Sequence, residues 1–216
     1  MRIIALTGIL FFWIFIPGMG QLSADEPVFD FIREDNDISL WYRWITAGNN
    51  RQTREIKAEF RVRAGKEEIL KLIKNEEYTL KWMKGVKEYS VLNQEDADNW
   101  IVYLRYEFPW PIKSQDCIIQ YRCLEKSGSK SLRLSLTGIP DYIPIQPGVD
   151  RIMQLSGSWE ITAISSGQCK VEYRIFSCQK AKFPRWMADP VVQSSMINSM
   201  ASFRELAEKN NGFCSR

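Results

Sequence analysis

Residues Arg54–Arg63 alternate without a break, with Ile56, Ala58, Phe60 and Val62 on one side and Glu55, Lys57, Glu59, Arg61 and Arg63 on the other. Period two with every charge on one side describes a strand with one wet face and one buried face. The pattern recurs along the chain. In Ile38–Thr46, Ile38, Leu40, Tyr42 and Trp44 alternate with Ser39, Trp41 and Arg43. Cys117–Leu124 sets Cys117, Ile119, Tyr121 and Cys123 against Gln120 and Arg122, and Ser131–Thr137 sets Leu132, Leu134 and Leu136 against Ser131, Arg133 and Ser135. Ile152–Ala163 turns Met153, Leu155, Gly157, Trp159 and Ile161 inward. Cys169–Ser177 does the same with Cys169, Val171, Tyr173 and Ile175. Val86–Leu92 and Ile101–Phe108 read as further strands. Many such strands predict a strongly curved antiparallel sheet whose apolar face must be covered by something else.

Helical spacing supplies candidates for the cover. Val28, Phe29 and Ile32 share a helical face and predict a first helix within Asp25–Asp37. Gly65 ends the long alternating run, and Ile69, Leu70, Leu72 and Ile73 predict a short helix over Lys66–Glu76. The chain closes with an amphipathic helix, Asp189 standing as N-cap and Pro190 at the first helical position. Val192, Met196, Met200, Phe203 and Leu206 form its apolar stripe, and Pro184–Ala188 reads as an earlier turn of the same helix.

A chain of 216 residues suits one domain with one core. Its formal charge of +3 is too small and too evenly spread for a nucleic-acid partner, though mild attraction to an anionic membrane surface fits. There is no histidine, which removes the commonest general base and the commonest metal ligand. The five cysteines match no zinc or redox spacing, and Cys117, Cys123 and Cys169 read as small buried apolar residues. At the N-terminus Arg2 precedes the uncharged apolar run Ile3–Ile16, then Pro17 and the small residues Gly18 and Gly20. This is the order of a secretory signal peptide over residues 1–20, with export and a mature start near Gln21; an uncleaved anchor is the alternative.

Particular motifs now add to the pattern. Ile101–Asp116 (IVYLRYEFPWPIKSQD) carries a strand ending in aromatic residues, then Pro109-Trp110-Pro111, then Asp116. Gly148-Val149-Asp150-Arg151 precedes Trp159-Glu160-Ile161. Phe183-Pro184-Arg185-Trp186-Met187 opens the closing helix, and Trp82 is followed by Val86-Lys87. Four motifs in this order resemble the START family, the lipid-transfer domains related to the steroidogenic acute regulatory protein.

The resemblance implies an α+β helix-grip fold of the START type over residues 25–210, with no cofactor, no metal and no catalysis. It implies a tunnel between sheet and closing helix that holds one sterol, phospholipid or sphingolipid in a monomeric carrier or sensor. Transient membrane contact goes with that role. The expected lining is Leu134, Met153, Leu155, Trp159 and Tyr173 from the strands and Val192, Met196, Met200 and Phe203 from the helix. Ligand access is expected through movement of the closing helix or of the proline-punctuated loop Gly138–Gly148. Asp116 and Arg151 are expected to pair and hold two strands in register, because a buried charge needs a partner. Gln115 departs from the arginine that many phospholipid-binding members carry there, and glutamine cannot clamp a phosphate bidentately. Two other readings stand beside the carrier. One is a helix-grip enzyme such as an aromatase or cyclase, which needs positioned acid–base groups in the cavity. The other is a partner-binding domain with a filled core.

Overall fold

A computed structural model describes residues 28–107, 113–124, 129–178 and 184–210. The N-terminal apolar run, Pro109-Trp110-Pro111, Phe183 and Cys214 lie outside the described residues.

The chain begins with a hairpin of β1 (Asp30–Asp35) and β2 (Ile38–Ala47). Asn36 and Asp37, both at φ 53°, make the connection, and Asp35 pairs with Ile38. Two consecutive residues in the left-handed region are what a two-residue hairpin turn of type I′ requires, and Asn and Asp tolerate that region best among side-chain-bearing residues. The first helix expected from Val28, Phe29 and Ile32 is therefore a strand. Strand β3 (Arg51–Val62) follows.

Two short helices come next, α1 (Lys66–Lys74) and α2 (Glu76–Trp82), where one had been expected. Asn75 divides them: its side chain accepts the Tyr78 N–H at 3.0 Å and caps α2. Strands β4 (Val86–Gln94), β5 (Asn99–Tyr106), β6 (Gln115–Cys123), β7 (Ser131–Gly138), β8 (Asp150–Arg151), β9 (Leu155–Ser165) and β10 (Gln168–Ser177) precede the long helix α3 (Arg185–Asn210). That helix runs through Asp189 and Pro190, so Asp189 is not its cap.

The strands form one curved sheet in the order β1-β2-β3-β10-β9-β7-β6-β5-β4, with the two-residue β8 added in parallel to β6. Every other pairing is antiparallel. At Gly157 of β9 a Cβ would lie 2.4 Å from the Arg174 carbonyl oxygen, so only glycine lets β9 and β10 approach this closely.

The inner face of the sheet and the helices share one core. Trp82 of α2, Trp159 of β9 and Phe203 of α3 meet edge-to-face or tilted, with centroids 5.1–6.0 Å apart, and Tyr173 lies 4.3 Å from Trp159. This aromatic knot ties both helices to the middle of the sheet. Burying a large apolar side chain contributes roughly 1.5–3 kcal/mol, so the knot is a principal source of stability. A smaller cluster lies on the outer face, where Ile101, Tyr103 and Ile118 carry Leu92, Ile139 and Ile143.

Candidate functional site

The inner face is sealed at one end and looser at the other. Pairing places Leu40, Ala58, Tyr173, Trp159 and Leu134 in one row across five strands, and all are buried. The next row is Tyr42, Ile56, Ile175, Gly157 and Leu136. Only Leu136 is fully buried there; the other four keep partial exposure. Helix α3 has the same polarity. Its buried residues are Ile197, Ser199, Met200, Phe203 and Ala207, none of them before Ile197. The N-terminal half leaves Trp186 76% exposed, with Met187 and Val191 also exposed.

The expected lining divides along that gradient. Leu134, Trp159, Tyr173, Met200 and Phe203 belong to the sealed end. Leu155 and Met196 are half-buried against the core at the looser end. Met153 and Val192 do not join them. Met153 is 51% exposed, because β9 starts only at Leu155. Residues 150–152 bond to β6, with the Ile152 N–H on the Asp116 carbonyl at 2.8 Å, and the alternation loses phase as the chain crosses to β10. Val192 is 46% exposed. Eight residues along a helix from Met200 it stands about 80° round from it, so a stripe drawn in steps of four leaves the buried face. Val192 instead borders a notch of about 20 Å³ beside Ile32, Tyr42, Ile56 and Gln193.

Polar tips converge on the inner face from strands whose tyrosines the sequence reading left out of the site. Tyr106, Gln115, Cys117 and Tyr121 share this face with Tyr173. Tyr106 donates only to the Met83 sulfur, at 3.5 Å, and the Tyr121 and Tyr173 hydroxyls bond to no described residue. Desolvation holds the three phenols well above the usual tyrosine value, and each also feels Cys117. Burial, with the Asp116 charge behind it, pushes the Cys117 thiol up to about 12. The indole N–H groups of Trp82 and Trp159 are likewise buried without a partner. Tyrosines at inward strand positions were the available signal, since a buried hydroxyl calls for a partner.

Charge stands at the mouth. Arg54 of β3 pairs with Asp189 of α3 and lies over the rings of Tyr42 and Trp44, at 5.3 and 5.6 Å. Arg185 covers the Trp44 ring at 4.3 Å.

Asp116 and Arg151 lie on the outer face. Asp116 alternates with Cys117 on β6 and so points away from α3. Arg151 also bonds to the carbonyls of Pro140, Ile143 (3.1 Å) and Pro144 (3.3 Å). The proline-rich loop expected as an access gate is thus fastened to the outer face, with Ile139 and Ile143 packed beneath it. A wider groove of about 680 Å³ opens between the β1–β2 turn and the end of α3. Its walls are ion-paired, with Lys170 on Glu59 at 3.0 Å and Arg204 on Asp37 at 3.4 Å. Apolar chains gain nothing there. Among the described residues no three His, Cys, Asp or Glu side chains gather as a metal site.

A family model of the START domain matches residues 36–211. The chain belongs to the START domain family. An uncharacterized protein of Pseudomonas aeruginosa is 30% identical over 129 residues, which is 60% of this chain and 63% of that relative's length. The crystal structure of a STAR-related lipid transfer protein from Xanthomonas axonopodis superposes with TM-score 0.72 at 20% identity, covering 83% of this START chain and 98% of the other. Human STARD10 superposes with TM-score 0.69 at 17% identity, covering 86% and 75%. At these identities the two structures establish the shared helix-grip fold.

Proposed function

We propose that this START protein binds one lipid molecule between the inner face of the sheet and the N-terminal half of α3, as a carrier or sensor. The observation that carries the reading is the gradient along the inner face. The sheet is sealed under Met200 and Phe203 and half-open under Arg185–Gln193. An apolar chain laid on Ile56, Ile175, Leu155 and Met196 removes their remaining surface from water, at about 25 cal/mol per Å².

Binding is favoured over catalysis because the inner-face phenols and thiol stay protonated at neutral pH, and such groups are poor general bases. The exposed apolar side chains at the start of α3, next to Arg185, suit brief contact with an anionic bilayer. Arg2 and the apolar run after it support export with a mature start near Gln21.

Native mass spectrometry of protein purified from its host without detergent tests the binding reading. The expected spectrum shows one lipid mass per chain; a bare chain, both as purified and after incubation with mixed vesicles, overturns it. N-terminal sequencing of the same sample tests export, and a retained Met1 counts against it.

A further inference from the structure

We infer that the ligand carries an uncharged polar end, of hydroxyl, carbonyl or ester oxygens, received by Tyr106, Tyr121, Tyr173 and Cys117. This rests on the lipid-binding reading and names the class of lipid.

The inner-face polar groups include the phenols of Tyr89, Tyr106, Tyr121 and Tyr173, the Cys117 thiol and the Gln115 amide, all neutral. At the mouth Arg54 pairs with Asp189 and Arg185 lies over the Trp44 ring, and no described Lys, Arg, Asp or Glu side chain bears on the Tyr106, Tyr121 or Tyr173 hydroxyls farther in. The deeply buried guanidinium of Arg151 is on the opposite face. Its five N–H groups are all taken, two by Asp116 and the rest by loop carbonyls. A phosphate or carboxylate moved into this interior would meet no counter-charge, and an unpaired buried ion costs several kcal/mol.

The neutral groups have the opposite need. Among the described residues the Tyr121 and Tyr173 hydroxyls have no partner, and Tyr106 has only a sulfur. Each phenol both donates and accepts, so it can pair with a hydroxyl or a carbonyl. Register sets Cys117 and Tyr121 on the inner face of β6, Tyr106 on the same face of β5 and Tyr173 on that of β10. Their raised pKa values keep them as donors at any physiological pH.

The full mature chain is incubated with phosphatidylcholine vesicles holding equal amounts of dioleoylglycerol, dioleoyl phosphatidic acid and cholesterol. The protein is re-isolated and its bound lipid is quantified by mass spectrometry. The diacylglycerol and the phosphatidic acid share their acyl chains, so the headgroup alone decides between them; the cholesterol arm separates an ester from a hydroxyl source. Loading of a neutral lipid at least tenfold over phosphatidic acid and phosphatidylcholine is the expected result. Tyr121→Phe and Tyr173→Phe, which keep the packing, should each weaken neutral-lipid binding about three- to tenfold, the worth of one hydrogen bond. Equal or preferential loading of a charged lipid overturns the inference while leaving lipid binding intact. So do phenylalanine variants that melt and load like wild type. No loading of any lipid overturns the binding reading itself. The wild-type selectivity decides even where a variant fails to fold.

Discussion

Arg151 donates Nε to one carboxylate oxygen of Asp116 at 2.6 Å and Nη2 to the other at 3.0 Å, with both side chains essentially inaccessible to water. This two-pronged pair on the outer face joins β8 to β6 and anchors the loop between β7 and β8. Its members are not equivalent. Loss of Asp116 strands one cation; loss of Arg151 strands one anion and also orphans three loop carbonyls. Removing one partner of a buried pair costs about 3–5 kcal/mol. Asp116→Asn should therefore lower the melting temperature strongly, and Arg151→Met should lower it further and expose residues 139–149 to protease. Two melts like wild type, with the loop uncut, would show that the pair contributes little.

Arg54 and Asp189 form a pair of a different kind. Both keep some exposure, so the pair adds no more than about 1 kcal/mol. It nevertheless joins the sheet to the half of α3 that lies over the looser end of the inner face. Asp189→Asn should leave the melting temperature nearly unchanged and speed exchange of a fluorescent lipid several-fold in stopped flow. High salt should speed the wild type in the same direction. Exchange rates indifferent to both changes would assign ligand access elsewhere.

The Cys117 thiol gives a pH-dependent readout of the same interior. With its pKa pushed up to about 12 by burial, the thiolate fraction at pH 8 is on the order of one in ten thousand. Iodoacetamide should leave Cys117 unmodified in native protein and label it after denaturation, as peptide mapping would report. The unfolded thiol ionises near its ordinary value and the folded one only near 12. Between those values the folded state binds the extra proton, so stability falls as pH rises through that window. Rapid native labelling at pH 8 would mean that the thiol is neither buried nor suppressed.

Much of the sheet was legible because a half-buried strand must alternate. Arg54–Arg63 and Cys169–Ser177 show that period plainly, and they pair with each other near the centre of the sheet. Strand β1 was not legible, since an edge strand with both faces partly wet shows no period. The signal that counted was the Asn36-Asp37 turn. Helix α2 is too short for periodicity and is marked by its Asn75 cap. The outward position of Asp116 follows from the inward positions of Cys117 and Ile119 by simple alternation. The site itself was legible only as a set of inward residues. Which of them share a row depends on register, and no single strand carries the register that sets Ile56, Ile175 and Gly157 side by side.

Met196 and Met200 of α3 separate the packed end of the grip from the looser end. Met200 is 1% exposed, and Phe203 one turn on is fully buried among Trp82, Trp159 and Phe60. Met196 is half-buried and lies one turn nearer the half-open row. Met200→Trp forces a larger ring into filled space, and overpacking of that kind costs about 1–3 kcal/mol. Met196→Trp has room to turn toward Ile56 and Ile175, so its melting temperature should stay close to wild type. That indole would occupy surface the lipid needs, and binding of a fluorescent sterol or diacylglycerol should drop at least tenfold. The expected result is a crossed pattern in which Met200→Trp loses stability and Met196→Trp loses ligand. If both variants lose stability equally, the inner face is filled along its whole length and the partner-binding alternative gains. If neither affects binding, the lipid does not lie under α3.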